Sequence, residues 1–487
     1  MKDGLCFFTK RIFVIIHMES LYFMQKRIFS RYVFLALLLT LLSSLIVTGF
    51  YLNHPRAEVL ADSWSYLYVV NLISNTGQLV NFWRLPFYPL FISAIYAVMG
   101  QGNLEAVSIA QAILFVVATL EVYVVAALVF KRAWLALIMG LLVGANLTLL
   151  SYVKPLMTEG IGLWLLVSLT LTTVLFLKTF RRRLLWLSMG WMLLLFMTRP
   201  EWLYLPPFIL AYVLWMSHWK QLLRRFLPHA IAGLIILYSI AGGYIYINAT
   251  QNNFSGTTWI TNVNMLGKIL QYNMQDNVEP TDQRSVAISH QIDSHLKEHL
   301  HDPYDMMARD PKLFGNHAAE IGKYAQSIII HHPKTFALKT FPLFFPSFIS
   351  YYQESRVNST GPFGDPLYYL QQTSMFIYPV NVIFPFCAAF WLCLFCFKKM
   401  RKKLIVQLMV LLIIICMYGI ILTITGGYRT YDYMRLYILI DPLLFMVVWG
   451  TLIQAVILLF KRQSWQAARK LRINMFKSRN QEHTHIA

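Results

Sequence analysis

The chain has 487 residues, of which 57% are apolar and only 13% charged, and its mean hydropathy is +0.53. This balance excludes a water-soluble globular protein. The formal charge of +20 would suit a nucleic-acid binder, but Lys and Arg lie in short clusters between apolar stretches, so membrane lipids are the expected partner and no nucleic acid is.

In chain order, residues 6–16 are weakly apolar, broken by Lys10 and Arg11, and followed by no small-residue cleavage site. They read as a cytoplasmic or interfacial segment and not as a signal peptide; Met18 and Met24 serve equally well as starts. Ten apolar stretches then have the length to cross a hydrocarbon core as helices, roughly 32–52, 105–130, 133–150, 155–178, 183–198, 201–217, 228–248, 374–397, 403–424 and 437–460. Two others stay outside the count. Pro86–Gly100 has 15 residues and is expected as an interfacial or re-entrant helix, and Phe336–Tyr352 is interrupted by Lys339, Pro342 and Pro346. The expected fold is all-α, a polytopic membrane bundle of about ten transmembrane helices with an external interfacial-helix loop and a larger external polar segment. Of the five cysteines, all but Cys6 fall in apolar stretches, so neither a disulfide framework nor a zinc site is expected.

Charge decides the orientation. With both termini cytoplasmic and neither short stretch crossing, the inner segments hold 27 of the 42 Lys and Arg but 3 of the 22 Asp and Glu. A crossing by Pro86–Gly100 alone would split the basic clusters between the two faces. The chain then divides into a cytoplasmic segment 1–31, a transmembrane catalytic module 32–248 with external loop 53–104, an external segment 249–373 with interfacial helices, C-terminal transmembrane helices 374–460 and a basic cytoplasmic tail 461–487. The stretch Ala249–Lys334 is rich in Asn, Gln, His and Asp and longer than a connection needs, which marks it for function.

Acids near the membrane are few. Asp62 opens a stretch expected as an amphipathic helix just outside the first span, and reads either as a general base at the membrane surface or as a helix-start residue. Glu159 directly precedes a span, where an unpaired carboxylate is costly, and Lys154 lies five residues earlier; a simple loop charge pair is the alternative. Arg84, Arg199, Arg429 and Arg435 all face outward against the general bias. For any one of them, lipid headgroups or a local pair such as Arg199–Glu201 or Arg429–Asp432 is the simpler reading, but four guanidiniums and two acids on one face point to a phosphate site. Glu121, well inside a span, is a functional hint that Tyr or backbone partners explain equally well. His290, His295, His299, His301, His331 and His332 lack a carboxylate placed as a metalloprotease requires and read as solvated loop histidines.

The ordered set of Asp62, Arg84-Leu-Pro-Phe-Tyr-Pro-Leu, Pro155 with Glu159, Thr198-Arg199-Pro200-Glu201, Ile330-His331-His332-Pro333-Lys334, and a closing Tyr-Met-Arg-Leu-Tyr with Asp441-Pro442 resembles a family. It looks like the glycosyltransferase C superfamily of polyprenyl-phosphate-sugar-dependent integral membrane enzymes, near the protein mannosyltransferases and the lipid A aminoarabinose transferases. The resemblance covers roughly residues 30–445. It implies a hexosyl or pentosyl transferase in which Asp62 is the catalytic base or positioning carboxylate, Glu159 the second acid, and Arg84 the residue holding the lipid phosphate. Many members carry a second acid beside the first where this chain has Ser63, so a divalent cation is an open expectation and no cofactor is certain.

The implied mechanism is a single inverting displacement. A hydroxyl or amine of a lipid, glycan or protein acceptor attacks the anomeric carbon of a polyprenyl-phosphate-linked sugar while Asp62 takes its proton, and Arg84, Lys154, Arg199, Arg429 or Arg435 meets the leaving phosphate. The expected location is a bacterial plasma (inner) membrane, with an extracytoplasmic site, although an endoplasmic reticulum enzyme with a luminal site would read the same. An O-antigen polymerase or ligase is the alternative enzyme. A lipid or sugar transporter is the alternative outside enzymes, though the chain lacks the two related halves that transporters tend to show.

Overall fold

The computed structural model describes residues 30–315, 318–347, 362–424 and 435–460. The expectations placed on Cys6, the N-terminal segment, Arg429, the end of Phe336–Tyr352 and the basic tail lie outside the described residues. Within them the backbone is helical apart from turns and connections, and its one β-feature is an isolated bridge between Glu58 and Pro155.

The first half of the chain runs α1 (Ser30–Asn53), α2 (Ala61–Thr76), α3 (Phe87–Met99), α4 (Leu104–Phe130), α5 (Ala133–Gly144), α6 (Leu147–Val153), α7 (Thr158–Thr179), α8 (Arg182–Phe196), a 3-10 turn over Pro200–Tyr204, α9 (Leu205–Trp219) and α10 (Leu223–Gln251). A group of helices outside the apolar spans, the external group, follows: α11 (Trp259–Gln271), α12 (Gln283–Lys297), α13 (Pro303–Arg309), α14 (Ala319–His331) and α15 (Pro333–Ser347). The chain then returns through α16 (Gly364–Met375), α17 (Phe384–Cys396), α18 (Lys398–Ile424) and α19 (Asp441–Phe460).

Among the described residues, seven helical stretches are long and apolar enough to cross a membrane, or eight where the pair α5–α6, bent by 53°, counts as one broken span. The protein is a polytopic helical membrane bundle. Two of the ten expected spans, 183–198 and 201–217, appear as the 15-residue helices α8 and α9. At 1.5 Å per residue each reaches only ~22 Å, short of a ~30 Å hydrocarbon core. Even so, α8 starts beside the end of α7, and the non-helical residues after it bring Arg199 within 2.9 Å of Glu159 at the start of α7. The segment Arg182–Arg199 thus traverses the depth of α7, with its last part, Met197–Arg199, in a turn whose N–H groups bond back to Leu193 and Leu195.

Packing explains the bend and the close approach of α5. Gly140 and Gly144 share one face; a Cβ on the first would lie 2.4 Å from Leu39 of α1, and one on the second 2.2 Å from Ser43 and 2.8 Å from Thr119 of α4. Small residues four apart admit the neighbouring helices directly. Beyond Gly144 the chain turns, and Asn146 restarts it as an N-cap whose side chain accepts the Leu149 N–H at 3.1 Å. The expected interfacial helix Pro86–Gly100 is α3, whose Tyr88, Ile92 and Tyr96 are buried while Val98 and Met99 are exposed.

The external group has its own core. Val263, Leu266, Ile269 and Leu270 of α11 meet Tyr324, Ala325 and Ile328 of α14, with Ile288, Ile292, Met306 and Phe314 closing the remaining sides. The Trp259 N–H donates to the Phe82 carbonyl at 2.9 Å, which ties the start of this group to the loop between α2 and α3.

Candidate active site

Two backbone devices bring distant acids together. The Leu156 N–H donates to the Glu58 carbonyl at 3.0 Å within the Glu58–Pro155 bridge, so the segments entering α2 and α7 run side by side in parallel. Asp62 and Glu159 each lie four residues after a bridge partner, in the first turns of α2 and α7. On the other side, the Phe87 N–H donates to the Met197 carbonyl at 3.0 Å, which sets Arg84 and Arg199 at the same level. Asn81 shapes the loop that delivers Arg84: its buried Oδ1 accepts the N–H groups of Trp83 at 2.9 Å and Arg84 at 3.0 Å.

Three carboxylates and three guanidiniums then alternate. Arg84 Nη2 lies 2.9 Å from Asp62 Oδ1, and Arg435 Nη2 lies 2.9 Å from Asp62 Oδ2. Arg435 Nε continues to Glu159 Oε1 at 3.2 Å, and Arg199 Nη2 meets the same oxygen at 2.9 Å. Arg199 Nη1 ends the row 3.7 Å from Glu201 Oε1. The Glu159 side chain is only 1% exposed, so its charge is held almost wholly by the two guanidiniums. Asp62 remains 35% exposed. Burial pushes its carboxyl up, but the Arg84 and Arg435 charges outweigh burial and hold it below the ordinary carboxylate range.

Arg84 is engaged on every nitrogen. Its Nε donates to Ser65 Oγ at 2.7 Å and its Nη1 to the Tyr66 hydroxyl at 3.3 Å, while its guanidinium lies 4.5 Å from the Tyr66 ring centre. Arg199 Nε donates to Thr158 Oγ1 at 2.7 Å. The ionic row forms the floor of a cavity of about 710 Å³ that also takes in Tyr66, Met157, Tyr204 and Leu436, and whose roof comes from Gly256–Thr258, Thr261, Asn262, Asn264, Tyr304 and Gln326 of the external group.

Of the residues expected at the site, Asp62, Arg84, Glu159, Arg199 and Arg435 are brought together. Lys154 is not. It is absent from the cavity lining and nearly buried; burial lowers its ammonium pKa, opposed by the Glu58 carboxylate. The reason is the bridge itself, which makes Pro155 the paired residue and leaves Lys154 behind it. Glu121 accepts from Ser168 Oγ at 2.9 and 2.8 Å and also stands apart from the cavity. His295, read as solvated, is instead nearly buried, with Nε2 3.3 Å from Asp310 Oδ2. Among the described residues no three His, Cys, Asp or Glu come together as a metal set. Ser63 does not face a site beside Asp62, because its Oγ accepts the Leu60 N–H at 2.9 Å and caps α2.

Sequence reasoning missed Tyr66, Asn81 and the roof, and gave Glu201 only a local pairing. The spacing Asn81-x-x-Arg84 carried a turn signal for Asn81, and the amide-rich composition of the external segment pointed to the roof without naming its residues.

Fold and cavity together describe an integral membrane protein with a charged pocket at one end of its bundle. Residues 84–246, about a third of the chain, match the family described as dolichyl-phosphate-mannose-protein mannosyltransferase. The match begins at Arg84, includes Glu159, Arg199 and Glu201, and supports a membrane glycosyltransferase of the GT-C type, as the resemblance implies. No curated protein matches the chain.

Proposed function

We propose that the cavity transfers a sugar from a polyprenyl-phosphate donor to an acceptor, with inversion, and that Asp62 is the general base. The observation that carries this reading is the double hold on Asp62, whose two oxygens each receive a guanidinium at 2.9 Å at the cavity floor. Held so, the carboxylate is ionised but a weak base. A donor phosphate offers Arg435 a stronger, bidentate partner, and its departure from Oδ2 leaves that oxygen for the acceptor proton. The acceptor oxygen or nitrogen then bonds to the anomeric carbon, its proton passes to Asp62, and the bond from that carbon to the phosphate oxygen breaks. Arg435 and Arg199 meet the charge of the leaving polyprenyl phosphate. Arg84, engaged by Asp62, Ser65 and Tyr66, serves to position the base and not to hold the phosphate as the resemblance implied.

The residues present do not suit a divalent cation, since each acid of the floor already answers a guanidinium and Ser63 caps its helix.

An extracytoplasmic site in a bacterial plasma membrane, with both termini cytoplasmic, is part of the same proposal. The basic clusters support it. Lys178 Nζ donates to Leu128 O, close to Lys131 and Arg132, and Arg401 lies 5.9 Å from the Trp219 ring centre, next to Lys220. Lys178 sits at the end of α7 opposite Glu159, ~30 Å away along the helix.

The test is transfer of radiolabelled sugar by purified protein from polyprenyl-phosphate and from polyprenyl-diphosphate donors. Transfer from the monophosphate, lost in Asp62→Asn, is expected. Activity with the diphosphate alone would favour the polymerase or ligase reading.

A further inference from the structure

Lys154, set behind the Glu58–Pro155 bridge, has no part in the cavity floor. It is only 8% exposed, and α4 fixes the backbone on both sides of it. Gln111 Nε2 donates to the Val153 carbonyl at 2.6 Å and to the Pro155 carbonyl at 2.9 Å, and Ser108 Oγ donates to the Lys154 carbonyl at 2.8 Å. The Tyr51 hydroxyl donates to the Ser108 carbonyl at 2.9 Å, which brings the end of α1 to the same place. The ammonium itself is not satisfied. Among the described residues it has no hydrogen-bond acceptor, and Glu58, near enough to act on it through charge, forms no ion pair with it. A buried ammonium without a partner is costly, and an anion is the partner that removes the cost.

Two further donors belong to the connection that leaves α1. His54 Nε2 and Asn53 Nδ2 are both buried and, among the described residues, without a hydrogen-bond partner. Burial, and after it the Lys154 charge, lowers the His54 imidazole, so it is neutral at pH 7 and can turn an Nε2–H to an anion. Its ring is held 5.0 Å from the Phe50 ring. Asn53 Oδ1 accepts the Phe363 N–H at 3.1 Å, which leaves the amide NH₂ as its free end. Arg56 and Glu58 follow in the same connection, and both are exposed. Along α1, Leu37, Leu41, Leu45 and Leu52 are each more than half exposed at helical spacing, an apolar face that ends where this connection begins.

We propose that Lys154, His54 and Asn53 form a second anion site, which holds the phosphate of a membrane lipid on the side of the Glu58–Pro155 bridge away from the cavity. In the ionic row every guanidinium already meets a carboxylate within 3.2 Å. Here an ammonium and two neutral donors lie together, and the one carboxylate near them is exposed and not bonded to the ammonium. A lipid supplies phosphate at the level where α1 ends, and its chains lie along the exposed leucines. Glu58 is then the group that competes with the phosphate.

Calorimetric titration of the full-length chain in a neutral detergent with dihexanoyl phosphatidylglycerol, dihexanoylglycerol and inorganic phosphate tests the proposal. The phospholipid is expected to bind at least roughly 10-fold more tightly than the glycerolipid that lacks phosphate. Equal binding of those two overturns the anion site, and inorganic phosphate bound as tightly as the phospholipid overturns the lipid as its source. Lys154→Met is expected to weaken the phospholipid roughly 10- to 150-fold and, without lipid, to leave the unfolding midpoint at or above that of wild type, because it removes a charge that has no partner. A structural pairing of Lys154 with Glu58 predicts a lowered midpoint and unchanged lipid affinity, and that result overturns the proposal. Glu58→Gln changes an exposed side chain and keeps the backbone bridge, so it reads the site independently of how Lys154→Met folds. It is expected to tighten the phospholipid roughly 2- to 5-fold, and unchanged or weaker binding overturns the proposal. Arg435→Gln is expected to leave the affinity within roughly 2-fold of wild type; a fall as large as in Lys154→Met would place the lipid on the cavity floor and overturn the second site.

Discussion

Glu58 and Pro155, 97 positions apart in sequence, pair as a parallel bridge, and that contact sets Asp62 and Glu159 beside one another. Neither acid touches the other. Arg435 spans them, with Nη2 on Asp62 and Nε on Glu159, so a residue from the last part of the chain reads both.

Asp62→Asn is expected to abolish turnover while leaving folded protein, its unfolding midpoint lowered only by the lost charge. Asn keeps the size and one acceptor for a guanidinium but cannot take the proton, so the loss falls on kcat more than on the KM for donor. Near-normal kcat in quantified, folded protein would reduce Asp62 to a helix-start residue.

Glu159→Gln is expected to act first on stability. It leaves Arg199 and Arg435 without the carboxylate they share, in a place where that side chain is 1% exposed, and breaking a buried pair from one side typically removes about 3–5 kcal/mol. Thermal unfolding in detergent should show a clearly lowered midpoint, and a midpoint equal to that of wild type would mean that water, and not Glu159, balances the two guanidiniums.

The pH profile follows from the sign of the Asp62 shift. Burial raises its carboxyl, and Arg84 and Arg435 together overcome burial, so its folded value lies below the unfolded one. Its stabilising share is therefore present above the unfolded value and lost as pH falls through the folded one. In Arg435→Gln one of the two lowering charges is gone and burial remains, so the acid limb of kcat/KM should move to higher pH. An acid limb at its wild-type position would show that Asp62 is not the group whose ionisation the profile reports.

Much of this site was legible because charge is scarce in an apolar chain: guanidiniums and acids next to spans stand out from residue order alone. Arg84, Arg199, Arg435, Asp62 and Glu159 were found that way. Lys154 met the same criterion and failed it, since whether a residue faces the cavity depends on a bridge to Glu58 that no local pattern announces. The ten-span count departs from the structure at α8 and α9 for a related reason: hydropathy reads composition along 183–198 and 201–217, but the helix stops at Phe196 and the crossing ends in a turn over Met197–Arg199. Asn262 and Gly322 lie 60 positions apart, so their contact was visible only in three dimensions.

Arg84 provides a test that separates positioning from phosphate binding. Its planar fork reaches Asp62, Ser65 and Tyr66 at once, which a Lys ammonium cannot reproduce although it keeps the charge. If Arg84 holds the base in place, Arg84→Lys should lower kcat by roughly 10- to 150-fold, the loss of one charge-assisted hydrogen bond of about 1.5–3 kcal/mol, with the KM for donor little changed. Arg84→Ala should be worse and should move the acid limb upward, because it removes a charge that lowers the Asp62 carboxyl. A phosphate clamp predicts the opposite split, with the KM for donor rising in both variants and the acid limb staying put in Arg84→Lys. Measuring initial rates across donor concentration and pH with the three proteins therefore decides which partner Arg84 serves.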